Sequence, residues 1–233
     1  MIQTIRIYWL LIIVLGPACS SKLQESYYTK RLRMVQEQIR NRGISDQPIL
    51  EAMEKVPRHL FIPAEIRQFA YQDSPLPIGY GQTISQPYIV AYMTSKISLS
   101  KLSRVLEVGT GSGYQAAVLS VLADSVYTIE IVPELATSSA KILNKLGYLN
   151  VRCKQGDGYK GWPEYKPFDA ILVTAAASEI PPALLDQLKE GGKLIMPVGL
   201  QDEIQNLVIV TRKQNKYLKK TLIPVRFVPF TRE

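Results

Sequence analysis

Three carboxylates in the second half of the chain stand where apolar runs give way to glycine. Glu107 lies within Val105-Leu106-Glu107-Val108, directly ahead of Gly109-Thr110-Gly111-Ser112-Gly113-Tyr114. Glu130 closes the next apolar run, about 20 residues further on, the spacing at which an acid can take both hydroxyls of a ribose. Asp157 stands between Gly156 and Gly158, after a third run, where it can face a purine. Glycines permit positive φ and let a ligand come close to the backbone. A helix opening behind such a turn presents free N–H groups. The spacing is GxGxG, not the GxGxxG of a dinucleotide pyrophosphate site. A carboxylate in the approach strand also repels a pyrophosphate and suits a cationic amine or a sulfonium. The plain alternative makes Glu107 and Glu130 exposed strand-end charges; three acids in register at three strand ends argue for one shared ligand.

A second group of residues lies upstream, in Gly81-Gln82-Thr83-Ile84-Ser85-Gln86-Pro87. Thr83 and Ser85 are two apart, so an extended backbone puts both hydroxyls on one side. Their alternative role is to cap the helix that begins near Tyr88. After the fourth apolar run, Thr174-Ala175-Ala176-Ala177 occupies the place where amino-group methylation would call for Asn/Asp-Pro-Pro-aromatic. No side chain there accepts an amine proton. A phenol or catechol acceptor would need a metal or a base, and no evident set supplies one. A carboxylate acceptor needs neither, because at an ordinary pKa of ~4 it is already ionised at neutral pH. Catalysis then reduces to positioning and partial desolvation.

The elements that must hold these groups can be read from periodicity. Tyr28 to Arg42 predicts a helix with Leu32, Met34, Val35 and Ile39 inward, basic residues outward, and Gly43 as its stop. Ser45 or Asp46 can cap a second helix that ends at Val56 before Pro57. Residues 57–87 hold five prolines and two glycines and read as a long irregular, functional loop. Tyr88 to Ser98 is a helix with Ile89, Tyr92, Met93 and Ile97 on one face. From Arg104 onward strands alternate with helices: strands at 104–108, 125–131, 151–155 and 168–174, helices at 114–123, 133–146 and 181–189. Strands at 193–198, 205–212 and 219–227 close the chain, the last two as a hairpin. This alternation means parallel βαβ units. The expected fold is α/β, a doubly wound sheet with an antiparallel C-terminal hairpin, preceded by a helical cap. The expected division is one domain over 21–233, with cap and loop at 28–102 and sheet at 103–233.

The composition excludes much else. The chain has 233 residues, 46% hydrophobic and 21% charged, which is globular and long enough for a real core. Two cysteines and one histidine cannot build a structural zinc site of four cysteines or of two cysteines and two histidines, nor a three-histidine catalytic one. A histidine base could only be His59, which reads better as a packing residue. The net charge of +8 allows anionic partners. Its densest cluster, Arg212, Lys213, Lys216, Lys219 and Lys220, reads as a solvated hairpin tip rather than an RNA-binding patch, so nucleic acid is disfavoured. Asp169 reads as structural. Residues 1–20 carry a basic start, the apolar run Tyr8 to Leu15, then Gly16-Pro17-Ala18-Cys19-Ser20. That is the pattern of a secretory signal, and Cys19 resembles a bacterial lipid-attachment site. The competing reading is a mis-assigned start, with translation from Met34 or elsewhere.

The glycine turn with its acids resembles the S-adenosylmethionine site of class I methyltransferases. A longer ordered series is more specific. Pro57-Arg58-His59-Leu60-Phe61, Gln82-Thr83-Ile84-Ser85-Gln86-Pro87, Glu107 to Tyr114, Gly156-Asp157-Gly158, Phe168-Asp169-Ala170-Ile171, Thr174-Ala175-Ala176, Leu194 to Gly199 and Val225-Arg226-Phe227-Val228-Pro229 resemble the protein-L-isoaspartate O-methyltransferase family over roughly 28–230. The resemblance implies a Rossmann-like class I sheet and methyl transfer from S-adenosylmethionine to the α-carboxylate of L-isoaspartyl residues in damaged proteins. It implies Ser85 and Thr83 as catalytic residues, with Gln82, Ile84, Gln86, Ala175, Ala176, Arg226 and Val228 at the peptide. Arg226 reads equally well as a strand-edge charge. It further implies cofactor contacts from Glu107, Gly109, Thr110, Gly111, Ser112, Gly113, Glu130, Asp157 and Gly158, no metal, and a cytoplasmic monomer. The signal-like start conflicts with that location, since it would place the chain in the envelope, away from its methyl donor. An RNA-directed methyltransferase, or a tethered binding module without catalysis, are the rival readings.

Overall fold

The computed structural model describes residues 27–201 and 203–232. The signal-like segment, Cys19 and any lipid attachment there lie outside the described residues. Among those described, no helix is long and apolar enough to cross a membrane.

The chain begins with α1, helical over 27–34, widening into a π turn at Val35–Ile39 and tightening at Arg40–Arg42. Gly43 ends it at φ 91°, as a glycine stop should. Met34, Val35 and Ile39 are buried as expected, but so is Arg31. Burial of that cation is possible because its Nε donates to the Glu54 carbonyl and its Nη1 to Tyr71 Oη at 3.3 Å. Helix α2 (Gln47–Lys55) is capped by Asp46, whose side chain accepts from Ile49 N.

The stretch 57–87 is not wholly irregular. Two 3-10 segments, Arg58–Phe61 and Ala64–Phe69, lead into a short hairpin. Its strands, β1 (Leu76–Gly79) and β2 (Gln82–Ile84), pair antiparallel around Tyr80 at φ 54° and Gly81 at φ 69°. Helix α3 (Pro87–Lys96) buries Val90, Ala91, Met93 and Thr94, a face shifted from the expected one. The polar member is satisfied: Gln115 Nε2 donates to Thr94 Oγ1, which donates to the Val90 carbonyl.

The remainder is β3 (Arg104–Val108), α4 (Tyr114–Leu122), β4 (Ser125–Glu130), α5 (Pro133–Lys145), β5 (Val151–Gln155), β6 (Phe168–Val173), α6 (Pro182–Leu185), β7 (Leu188–Val198), β8 (Gln205–Lys213) and β9 (Lys216–Val225). The seven-stranded sheet runs β5-β4-β3-β6-β7-β8-β9. Strands β3 to β7 are parallel, and β8 and β9 are antiparallel. Alternate residues feed two cores. Val105, Val126, Ala170 and Ile195 face the N-terminal helices, while Leu106, Tyr127, Ile171 and Leu194 face the other side. Strand order reverses at β3, so the carboxyl ends of β3 and β6 open a crevice there.

One expected helix is replaced. Instead of spanning 181–189, α6 makes a single turn and β7 begins at Leu188, passing through Gly191 and Gly192. The sheet wins because the Gln187 carbonyl accepts Phe168 N. The Gln187 side chain also bonds Trp162 N and the Lys160 carbonyl.

Candidate active site

A cleft opens at the carboxyl ends of the parallel strands. Its floor is the glycine turn. Gly109 has φ 93°, and a Cβ there would lie 2.3 Å from Thr174 Oγ1. That hydroxyl donates to the Gly109 carbonyl at 2.7 Å, which ties the β3 turn to the end of β6. Gly113, at φ 86°, delivers the chain into α4. Gly158 closes the opposite wall, where a Cβ would meet Val108 Cγ1 at 2.3 Å. The backbone therefore approaches side chains so closely at Gly109 and Gly158 that only glycine fits.

The three acids fare differently. Glu130 lines the cleft; its Oε2 accepts Gly111 N at 2.7 Å and its Oε1 accepts Val132 N at 3.0 Å. Each oxygen keeps acceptor capacity for a ligand hydroxyl. Glu107 does not line the cleft. Parallel register puts it beside Thr128, and the residue is fully buried. Thr128 donates to its Oε2 at 2.5 Å, and Thr110 Oγ1 lies 2.6 Å from Thr128 Oγ1. Thr110 faces the cleft, so Glu107 meets the site through two hydroxyls. Its Oε1 is buried without a partner among the described residues. Burial pushes its carboxyl up to about 8; the Thr128 bond opposes this and the neighbouring Glu130 adds to it. Asp157 is also set back. Its Oδ1 accepts Tyr159 N at 2.9 Å, and Arg232 stands 3.6 Å from its Oδ2. The expected row of three acids facing one ligand is thus one acid in the wall and two behind it.

Gln82, Thr83, Ile84 and Ser85 line the cleft's other side, and Thr110, Gly111 and Ser112 its floor. Neither hydroxyl caps α3: Gln86 holds the cap position without a side-chain cap bond. Thr83, Ser85, Thr174 and Val228 also line an adjoining groove, together with Gln86 and Arg226. Gln86 donates to the Asp73 carbonyl from that groove's edge. Arg226 stands one residue beyond β9, exposed, not within the strand. Ala175 faces the cleft. Ala176 does not; its N–H donates to the Val228 carbonyl and its carbonyl accepts Phe230 N, both at 2.8 Å.

Those two bonds strap the C-terminal segment over the cleft. Pro229, Phe230 and Thr231 become lining residues, and Phe230 packs on Tyr159 with centroids 4.3 Å apart. Phe230 and Thr231 carry no motif, so sequence reasoning missed them; the Ala176 bridge that places them is a long-range contact. His59 lies elsewhere, stacked on Tyr27 at 4.2 Å with Nδ1 2.7 Å from Tyr71 Oη. Burial, with Arg31 and Arg67 nearby, lowers it to about 4. Asp169 accepts Arg104 N and the Lys189 ammonium, the structural role expected of it. Among the described residues no cluster of metal-ligating side chains occurs.

A doubly wound sheet, a GxGxG turn at the switch point and an acid at the end of the next strand define a class I S-adenosylmethionine-dependent methyltransferase. The family model for protein-L-isoaspartate(D-aspartate) O-methyltransferase matches residues 29–233. A protein-L-isoaspartate O-methyltransferase of Opitutus terrae is 55% identical over 223 residues, covering 96% of this chain and 95% of that protein. Among solved structures, a protein-L-isoaspartate O-methyltransferase aligns at TM-score 0.77 and 31% identity over 87% of this chain, which spans 65% of that one. A beta-aspartate methyltransferase (PCMT) of Plasmodium falciparum, crystallised with S-adenosyl-L-homocysteine, aligns at TM-score 0.78 and 30% identity over 87% of this chain and 99% of that one. The chain belongs to the protein-L-isoaspartate(D-aspartate) O-methyltransferase family.

Proposed function

We propose that the cleft between the glycine turn and the Thr83–Ser85 segment is where a methyl group passes to a damaged peptide. The family's reaction is this chain's reaction: transfer of methyl from S-adenosylmethionine to the α-carboxylate of an L-isoaspartyl residue, which starts repair to aspartate. The residues present suit the cofactor. Gly109, Gly111 and Gly158 bring bare backbone to the cleft, and Glu130 stands in its wall with acceptor capacity left on both oxygens. Glu130 would hold the ribose, Gly111 and Ser112 the adjoining backbone, and Gly158 with Phe230 the purine side. Asp157 would act through the Tyr159 turn it caps, and Glu107 through Thr110 and Thr128. When bound, the cofactor supplies an electrophilic methyl on sulfonium.

The chain's own contribution is positioning. Thr83 and Ser85 line both the cofactor cleft and the adjoining groove, and this single observation carries the assignment. Their hydroxyls would donate to the α-carboxylate and turn one oxygen toward the methyl. Gln82, Ile84, Gln86, Ala175 and Val228 would shape the slot for peptide main chain, with Ala176 fixing Val228 from behind. No general base is required, because the acceptor is ionised at neutral pH. His59 is too far into its own packing cluster to serve as one. The rival RNA reading rested on basic residues that the fold gathers on the β8–β9 hairpin, where Lys213, Lys216, Lys219 and Lys220 line neither cleft nor groove.

The test is incubation with methyl-labelled S-adenosylmethionine and matched isoaspartyl and aspartyl peptides. A base-labile ester on the isoaspartyl peptide alone is expected. Equal labelling of both, or of neither, would remove the proposal. The methyl donor is a cytoplasmic metabolite, and we place the working enzyme there; a mature N-terminal mass showing cleavage near Cys19 would contradict that placement.

A further inference from the structure

We propose that Arg226 makes this enzyme favour isoaspartyl sites flanked by an acidic residue. The inference rests on the Thr83–Ser85 cleft being the methyl-acceptor site and specifies which peptides enter it. In the adjoining groove Arg226 is the sole charged lining residue; the others are apolar or neutral hydroxyl and amide side chains. Arg226 is exposed and has no hydrogen bond, ion pair or ring contact among the described residues. Several other arginines are engaged: Arg42 pairs with Asp73 and covers the Tyr88 ring, Arg152 reaches Tyr165, and Arg212 donates to the Leu188 carbonyl.

The backbone at Arg226 is held on both sides: Val225 before it pairs with Gln205 across β8 and β9, and after it Phe227 N donates to Gln205 Oε1 at 2.9 Å and the Val228 carbonyl accepts Ala176 N at 2.8 Å. A free guanidinium on a fixed base is a preset charge at the groove wall. The α-carboxylate of the damaged residue is not its partner in this arrangement. Two hydroxyls already meet that group, and a full ion pair there would weaken the nucleophile. The guanidinium instead meets a carboxylate on a neighbouring residue of the same peptide. A fixed cationic group at the groove also raises the encounter rate of acidic segments.

The experiment compares isoaspartyl peptides that differ only in one flanking residue, Glu, Gln or Lys, placed on either side in turn. In at least one series kcat/KM should fall in the order Glu, Gln, Lys. The Glu peptide should exceed the Gln peptide by about three- to fivefold at low salt, the range of an exposed charge pair, mostly through KM. The difference should shrink at ~1 M salt, where screening acts over about 3 Å. Arg226→Gln should erase it, Arg226→Lys keep part of it, and Arg226→Glu reverse it. Equal rates in both series for the unaltered enzyme, or an order that survives Arg226→Gln, would overturn the inference. So would an Arg226→Gln loss identical for all three peptides, which would mean that Arg226 grips the α-carboxylate itself. Methylation of the Gln peptide keeps the acceptor-site reading standing in any of these cases; no methylation of any peptide would sink that reading too.

Discussion

Replacing Glu107 with glutamine separates the charge of this carboxyl from its shape. The side chain is fully buried, Oε1 has no partner among the described residues, and burial pushes the group up to about 8. At neutral pH the folded protein therefore holds Glu107 protonated, while the unfolded chain ionises it near 4.5. Between those two values the unfolded state releases a proton that the folded state keeps. Stability is fully present below 4.5 and is lost as pH rises toward 8. At about 1.36 kcal/mol per pH unit the gap is worth on the order of 5 kcal/mol. In Glu107→Gln the amide can still accept from Thr128 and nothing ionises. The variant should gain on the parent steadily from pH 4.5 to pH 8, by roughly 10–20 °C in Tm at about 2–4 °C per kcal/mol. Thermal melts of both proteins in the same buffers at half-unit intervals measure this. A cationic donor above Thr110 favours the ionised acid, so S-adenosylmethionine should tighten relative to S-adenosylhomocysteine between pH 7 and 9 in the parent only. A Tm difference that stays flat across pH 4.5–8 would refute a proton on Glu107.

Three further outcomes are expected. Ser85→Ala should lower kcat by about a hundredfold, the cost of a misplaced reactant, with the S-adenosylhomocysteine Kd changed less than about twofold; equal losses in both, by methyl transfer and calorimetry, would contradict the positioning role. Gly109→Ala forces a Cβ to within 2.3 Å of Thr174 Oγ1 at φ 93°, so it should cost about 1–3 kcal/mol in denaturant unfolding and remove cofactor binding. His59, held neutral by burial and nearby arginines, supports the fold above pH 6.5 and loses that contribution as pH falls toward about 4. His59→Phe, which keeps an aromatic ring against Tyr27, should lose less Tm than the parent between pH 7 and pH 5, and kcat should show no histidine inflection near 6.5.

What the sequence makes legible here is whatever is local. The GxGxG turn, the acid at the end of β4 and the Thr83–Ser85 pair all depend on short spacing, and the structure brings Gly109 to Ser112, Glu130, Thr83 and Ser85 to one cleft. The parallel sheet and the C-terminal hairpin follow from βαβ alternation and a polar turn. What was not legible depends on contacts between distant segments. The helix expected over 181–189 had a plausible proline start, yet Gln187 is claimed by Phe168, Trp162 and Lys160. Arg31 carries a surface residue's identity and is buried because Glu54 and Tyr71 receive it. The sequence puts Glu107 at the cofactor, since spacing along a strand gives the strand end but not the depth. Only cross-strand register shows that Thr128 stands between it and Thr110.

That depth changes how the site is understood. Methyl transfer to a carboxylate consumes no catalytic proton, so a strongly shifted acid or histidine in this fold has no proton to move for the reaction. The two such groups bear this out by position: Glu107 lies behind the floor and His59 lies in the helical cap. Apart from Glu130, the polar side chains that line cleft and groove are hydroxyls, amides and one free guanidinium. Selectivity must then come from shape and from the charge of the flanking peptide, while the pH dependence of the protein belongs to its stability and to the donor's charge. A kcat that is level from pH 6 to 8 beside a stability that slopes over the same range is the pairing this division requires.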